Sequence, residues 1–483
     1  MATPAAPEEQ QPVVVVGAGM SGTLMAIHLA RRGFAVDLYE RRGDMRRRTV
    51  DAGKSIKMTL AERGLAALRE VGLAEEVMRY CIPLRGRAVH RSDGTVTYQP
   101  YGKNEHEVIY SISRTDLNVM LLDRAETYPN LRLHFQKRCT GLEKETATAI
   151  FVDEVSQAVT RVAARAVIGA DGAFSIVRQL MQRGLRTDYQ QDFVAWGYKE
   201  LTIVAAPDGS HQMDRNALHI WPCGDHMLFA LPNLDGSFSG VCILPFEGAH
   251  SFAELADDDS RVRGLFAERF GDALPLIPRL CEEMRGNQLG EFLTTRTSLW
   301  HHRGRLVLLG DACHTVIPFY GQGMNAAFED CSVLAGCLDR HPGDWETAFA
   351  EYQALRKPHT DVLAELSKEN FTELRDTARS AWLTARKRAL ILLNRLFPRT
   401  VVPIYTLVTH SNLPYASCVE RTRRQDRLAR LLGADLLVGA MTLGVLVERA
   451  RTRRQVRQAA RKVEVKAPRT PPAAPLPASS TES

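Results

Sequence analysis

The chain lacks most of the features that would set it apart from an ordinary globular protein. Its nine cysteines are scattered with no CxxC spacing, so neither a zinc site nor a disulfide framework is indicated. No secretory leader pattern opens the sequence, which together with the scattered thiols predicts a reducing, cytoplasmic setting. No unbroken apolar run reaches the about 20 residues of a membrane helix. Charge of one sign is scarce: 62 Lys and Arg against 56 Asp and Glu leave +6, with much of the basic excess after Arg421. The body of the chain is near neutral and gives no electrostatic case for a nucleic-acid partner. There is no internal repeat. Across 483 residues, 45% hydrophobic and 24% charged positions exclude disorder through most of the length.

What is present gathers in three separated motifs. Val13-Val14-Val15-Val16 runs into Gly17-Ala18-Gly19-Met20-Ser21-Gly22, the strand, turn and helix start of a dinucleotide-binding unit. Gly17 allows the tight turn, Gly19 lets the backbone approach a pyrophosphate, and Gly22 lets helix and strand pack closely. The helix expected from near Met20 offers that pyrophosphate its free N–H groups and positive dipole end. Ala35 to Tyr39 reads as the second strand, with Glu40 placed to accept hydrogen bonds from an adenosine ribose. An acid there favours a 2′-hydroxyl over a 2′-phosphate, hence FAD over NADP as the tightly held nucleotide. The second motif runs from Gly169-Ala170-Asp171-Gly172 to Arg178. The third is Leu309-Gly310-Asp311-Ala312-Cys313-His314, then Pro318 and Gly321-Gln322-Gly323-Met324-Asn325. Asp311 follows the buried-strand pattern Arg305 to Leu309, so it falls where α/β folds bind ligands. A lone GxGxxG also fits a plain NAD site; three motifs in this order point to FAD.

In these motifs the chain resembles the class A, single-component flavoprotein monooxygenases. The resemblance implies that Asp311 contacts the FAD ribityl chain, and that Asp171-Gly172 serves both FAD and a transient nicotinamide cofactor. It also implies that Pro318 and the loop with Gly323, Met324 and Asn325 lie over the flavin ring. The helix that follows would aim its positive end at the isoalloxazine, stabilising negative charge on reduced flavin. Arg114, opening the amphipathic run Thr115 to Ala125, matches the arginine that holds FAD from a helix start.

Further blocks narrow the resemblance to the kynurenine 3-monooxygenases, from about Val13 to about Cys418. They include Leu84-Arg85-Gly86-Arg87, Tyr98-Gln99-Pro100-Tyr101-Gly102, Gly197-Tyr198-Lys199-Glu200-Leu201, Asn216 to Pro222, Pro318 to Asn325 and Leu413-Pro414-Tyr415-Ala416. This implies hydroxylation of L-kynurenine at the ring 3-position in tryptophan catabolism, with bound FAD and with NADPH and O2 consumed. Arg85 is expected to grip the substrate carboxylate bidentately. By resemblance Tyr101, Asn370 and Tyr405 complete that grip, and Phe319 and Tyr320 flank the ring. The aniline nitrogen activates the ring itself, so His314, Glu369 and Lys199 are assigned no role, and no metal is expected. Two departures from the family pattern stand out: Lys57, within Lys54-Ser55-Ile56-Lys57-Met58, and Tyr320, where relatives carry His or Phe. A related tryptophan metabolite is therefore the alternative substrate. A flavin reductase and a non-enzymatic flavin-binding protein are the alternatives of other classes.

The expected fold is α/β, a Rossmann-like FAD domain interleaved with a mainly antiparallel-sheet substrate domain. The FAD domain takes residues 13–84, 111–185 and 297–344, and the substrate domain 85–110 and 186–296. A helical region, 345–460, and tails at 1–12 and 461–483 complete the chain. A helix is expected from Thr59 to Val71, and hairpin turns at Asp93-Gly94, Cys223-Gly224-Asp225 and Asp235-Gly236. Phe349, Tyr352, Leu355, Leu363 and Leu366 mark one face of a later helix. Leu431 to Val447 is apolar except for Asp435, Thr442 and three glycines. As a helix it is about 26 Å long, short for a span. Packing on the body is expected, with peripheral membrane contact as the alternative.

Overall fold

The computed structural model describes residues 11–47, 56–91, 93–102, 107–256, 258–377, 393–394 and 400–431. Residues 1–379 and 402–424 form one compact unit. A second unit, 380–401 and 425–483, is represented by few described residues, and the expectations for 432–447 and the C-terminal tail lie outside them. Among the described residues no helix is long and apolar enough to cross a membrane.

The four valines at Val13–Val16 are all buried, as β-branched residues in a strand covered on both faces should be. They form the middle of a six-stranded sheet in the order 301–302, 306–308, 166–169, 13–16, 36–39, 131–134, parallel except for the first edge. Chain order reverses direction around Val13–Val16, so the crevice of a doubly wound sheet opens at its carboxyl end. Gly17, Glu40, Asp171 and Asp311 all follow the carboxyl ends of these strands. Helices Met20–Arg31 and Gly323–Arg340 bury Leu24, Ile27, Phe328 and Leu334 against the sheet.

A seven-stranded sheet takes the order 290–297, 189–203, 238–245, 226–232, 217–223, 86–90, 96–100. The hairpins turn at Asp93-Gly94, Cys223-Gly224-Asp225 and Asp235-Gly236 as expected. Helices Asp259–Arg269 and Leu280–Gly286 cover it through Phe266, Phe270 and Leu280. Two smaller sheets are 137–143, 148–153, 159–163 and 57–60, 109–113, 82–84.

Two local expectations are corrected. Thr59 and Leu60 belong to strand Lys57–Leu60, and the helix starts only at Glu62. Pairing with Ile109–Ser113 supplies backbone hydrogen bonds that the apolar periodicity of 59–71 does not register. In the helix Trp345–Thr377, Phe349, Tyr352, Leu363 and Leu366 are buried, but Leu355 is 44% exposed and lies off that face.

Candidate active site

The glycine turn is built for close approach. Gly17 has φ +103°, and a Cβ there would lie 2.5 Å from the Ala170 carbonyl oxygen; one on Gly22 would lie 1.9 Å from that of Gly17. Gly19 differs: a Cβ there meets no atom within 4 Å, and as helix N-cap it places no side chain over the first N–H groups of Met20–Arg31. Those N–H groups and the helix dipole suit a pyrophosphate. Glu40 is buried, accepting from the Ala18 N–H at 3.1 Å and from the Arg42 N–H and Nε at 3.0 and 2.9 Å. Asn118 donates to the Ala18 carbonyl at 3.2 Å, while its own Oδ1 is buried with no partner among the described residues. An orphaned acceptor beside Glu40 and the open glycine edge fits a dinucleotide.

The two Asp-Gly and Gly-Asp motifs meet through an arginine. Asp171 turns its carboxylate onto the start of helix Ile176–Gln182, accepting from Ser175 Oγ and from the N–H groups of Ile176 (2.7 Å) and Val177 (3.1 Å). Burial pushes that carboxyl up, against those hydrogen bonds. Arg178, fully buried, donates to the carbonyls of Ala312 (2.7 Å) and Ala173 (2.8 Å) and to the Tyr189 hydroxyl (2.9 Å). It therefore clamps both motifs together. Asp311 faces the cleft, its carboxyl raised by desolvation and drawn back by the charges of His314 and Arg114. Arg114 opens helix Arg114–Glu126 with its side chain exposed, and its charge also bears on Tyr198 and Glu200.

Behind the cleft, Asn325 is fully engaged within the protein. Its Nδ2 donates to the carbonyls of Thr59 (2.9 Å) and Gly321 (3.0 Å), and its Oδ1 accepts from the Ala61 N–H at 2.8 Å. It ties the Pro318–Gly323 loop to strand Lys57–Leu60, and Gly321, at φ +66°, has Thr59 Oγ1 where a Cβ would go. Gly323 begins the helix with no side-chain cap, and Met324 packs into the core below. Lys57 lies opposite Ser113; burial lowers its ammonium pKa, opposed by Asp116 and Asp235. Under this loop runs a buried ionic chain. Arg63 pairs with Glu329, Glu329 with Arg356 (2.5 Å), Arg356 with Asp330 (2.7 Å), and Asp330 with His314 (2.5 Å) and the Gly310 N–H (3.2 Å). Arg63 also donates to the Leu413 carbonyl and lies 4.1 Å over the Tyr415 ring. Burial opposes the charge on His314, but Asp330 wins and raises its pKa well above the ordinary imidazole value.

The structure brings Tyr101, Tyr405 and Tyr320 together, with ring centroids 5.3 Å apart for the first pair and 5.5 Å for Tyr405 and Tyr320. It does not bring Arg85 to them. Arg85 is exposed, its backbone held by the Asn216 carbonyl and the Tyr101 N–H and its charge felt at Tyr98. Arg87 takes that place instead, its guanidinium 4.5 Å from the Tyr405 ring and 5.4 Å from the Tyr101 ring. Its Nε and the Tyr101 hydroxyl are buried with no hydrogen-bond partner among the described residues. A guanidinium with an unpaired Nε–H beside an unpaired hydroxyl makes a site for a carboxylate. Leu84, Leu218 and Leu231 line it. Asn370 donates to the Phe319 carbonyl at 2.6 Å, fixing a ring that packs with Phe371 (4.5 Å), Phe292 (5.2 Å) and Phe229 (6.3 Å). Lys199 is turned away onto the Met284 carbonyl, and Glu369 is exposed.

The roles of Arg87, Arg178 and the ionic chain escape the sequence reading. Arg87 and Arg178 leave a local trace, as the second arginine of one quoted block and the last residue of the Asp171-Gly172 motif. Comparison with known proteins follows the same outline. A family described as FAD binding domain matches residues 10–363. A kynurenine 3-monooxygenase of Salinispora arenicola is 46% identical over 449 residues, covering 92% of this chain and 98% of that protein. One from Myxococcus xanthus is 42% identical over 437 residues, covering 90% and 91%. Among solved structures, Pseudomonas aeruginosa PqsL in complex with 2-aminobenzoylacetate aligns with a TM-score of 0.63 at 22% identity. That match covers 76% of this chain and 98% of PqsL. The tetrameric form of 2-methyl-3-hydroxypyridine-5-carboxylic acid oxygenase aligns at 0.60 and 19%, covering 76% and 92%. At those identities the two structures speak to the fold alone.

Proposed function

The chain belongs to the kynurenine 3-monooxygenases, within the FAD-binding-domain family, and on that footing we propose that it hydroxylates L-kynurenine at the ring 3-position, consuming NADPH and O2. The observation that carries the substrate reading is the Arg87 guanidinium, its Nε buried and unpaired, with Tyr405 and the unpaired Tyr101 hydroxyl at its side. Bound FAD supplies the redox and oxygen-transfer chemistry. Gly17, Gly19, Gly22 and Glu40 would hold its adenosine diphosphate half. Arg114, Asp311 and the Gly323 helix start would hold its flavin half, with Asp171 and Asn325 acting by fixing the loops. Arg87, Tyr101 and Tyr405 bind the α-carboxylate, while Tyr320 and the Phe319 cluster fill the space beside the ring. The aromatic wall excludes water, which limits loss of reducing equivalents as hydrogen peroxide. The aniline nitrogen activates the ring carbon beside it, so the residues orient the substrate and need not remove a proton to start the reaction.

Purified protein with FAD, NADPH and L-kynurenine tests this directly. Substrate-stimulated NADPH oxidation with stoichiometric 3-hydroxykynurenine is expected; oxidation that yields only peroxide would refute the reading. NADH at equal concentration should reduce the flavin more slowly, and equal rates would remove the NADPH preference. Asp311→Ala should weaken flavin retention by about 0.5–1.5 kcal/mol for each hydrogen bond lost. The flavin-to-protein ratio after gel filtration reads this, and the flavin released by heat should chromatograph as FAD. Retention equal to wild type would remove Asp311 from the flavin site.

A further inference from the structure

The seven-stranded sheet has one parallel seam. Strand Gly86–His90 pairs parallel with Ala217–Cys223, whereas its other pairings are antiparallel. Parallel pairing is slightly weaker per residue. The hairpin beyond this seam carries Arg87, and Tyr101 follows it directly, so the seam sets where both stand.

Side chains bridge the seam on the face away from Arg87. Leu218 pairs in register with Arg87 and packs with Tyr101, so strand alternation sends His219 and His90 to the opposite face. There His90 Nε2 lies 2.9 Å from His219 Nδ1, and His90 Nδ1 lies 2.5 Å from Asp272 Oδ2. His219 Nε2 lies 2.9 Å from the Asp214 carbonyl. Trp221 Nε1 donates to the second Asp272 oxygen at 2.7 Å, and its ring stacks on His90 at 4.1 Å. Both histidines are buried, and Phe238 meets His219 edge-on.

These contacts fix the protons. A carbonyl only accepts, so His219 carries its proton on Nε2 and, when neutral, offers Nδ1 as an acceptor. His90 must then donate from Nε2. Asp272 stands at the outer end with its side chain 33% exposed and accepts from Trp221. Its other oxygen meets His90 Nδ1, so one proton is shared at that contact. Burial lowers the His219 pKa to about 4, and the Asp272 carboxyl is held below its usual range by His90 and Trp221 against its own desolvation.

We propose that Asp272, His90 and His219 form a positioning relay that locks the Arg87–Tyr101 hairpin across the parallel seam, so that breaking the relay weakens substrate binding. The proposal rests on the reading of Arg87 as the carboxylate clamp. Without the His90 ring both of its contacts are lost and the seam loosens. The positioning groups lie behind the sheet and touch no substrate, so the KM should rise while kcat holds.

Nitrogen-15 spectra of histidine-labelled wild-type protein test the contact directly. His90 Nε2 and His219 Nδ1 should show coupling through a hydrogen bond that is lost in His90→Gln; its absence in the wild type would overturn the relay whether or not the variants fold. In His90→Gln the KM for L-kynurenine should rise about tenfold with kcat within about twofold, the scale of a misplaced positioning element. Asp272→Glu should retain more binding than Asp272→Asn. A folded His90→Gln with wild-type KM would overturn the proposal. Arg87→Ala separates the two claims: an unchanged KM there sinks the clamp, whereas a raised KM beside a normal His90→Gln sinks only the relay.

Discussion

Arg87→Ala is expected to raise the KM for L-kynurenine about ten- to a hundredfold, because a charge-assisted carboxylate pair contributes about 1.5–3 kcal/mol. FAD should stay bound, since Arg87 belongs to the hairpin Gly86–Pro100 and not to the glycine turn or the strand ends around Asp311. Arg87→Lys should recover only part of the loss, an ammonium having no guanidinium fork. Tyr405→Phe removes one neutral donor and should cost less, about 0.5–1.5 kcal/mol. A loosely held substrate also leaves its ring misaligned, so a larger share of NADPH should end as hydrogen peroxide. Arg85→Ala is the control: its exposed side chain predicts near wild-type kinetics. Should Arg85→Ala be crippled and Arg87→Ala normal, the carboxylate site would have to be placed again.

The buried ionic chain predicts the largest loss of stability. Asp330 is fully buried between Arg356 and His314, and Asp330→Ala would leave His314 without its carboxylate and Arg356 with Glu329 alone. Breaking a buried pair from one side costs about 3–5 kcal/mol. Urea or thermal unfolding should show it, together with weaker flavin retention, because Asp330 also anchors the Gly310 N–H next to Asp311. The pH dependence has a definite sign at each end. His314 is raised in the fold, so its contribution is fully present below the ordinary imidazole value of about 6.5 and is lost as pH rises through the raised one. Burial resists ionisation of Asp330, yet His314 and Arg356 depress its pKa. Its contribution is present above the ordinary carboxylate value of about 3.9 and is lost as pH falls through the depressed one. The gap between wild type and Asp330→Ala should therefore narrow at both extremes. A gap below about 1 kcal/mol at neutral pH would mean that the chain contributes no more than an exposed pair.

Local chemistry was readable and long-range chemistry was not. Gly17, Gly22 and Asp311 announce themselves because a turn, a close packing and a strand end each demand a residue type at a fixed spacing. Arg85 and Arg87 stand two residues apart in a stretch whose strand begins only at Gly86. Which of them meets Tyr405 depends on a helix more than three hundred residues later, so no local pattern could choose. The partners of His90 lie 129 and 182 residues away, and Arg63 finds Glu329 across 266. Thr59 and Leu60 carried a helical period but were claimed by pairing to Ile109–Ser113. Tertiary hydrogen bonding overrode propensity there, as it commonly does.

The central sheet sets a schedule for the growing chain. Strand Ala166–Gly169 takes Val13–Val16 on one side, but its other neighbour, Leu306–Leu308, is the last parallel strand to be made. At about 5–20 residues per second, the interval from Gly169 to Leu306 lasts on the order of ten seconds. Throughout it an all-apolar strand presents a bare edge of N–H and carbonyl groups, the kind of template on which other chains pair. The same late strand delivers Asp311, so the nascent protein cannot complete its flavin cradle until that edge is closed. Bound cofactor then reports that the sheet is whole, and a fragment ending before Leu306 is left both flavin-free and prone to aggregate.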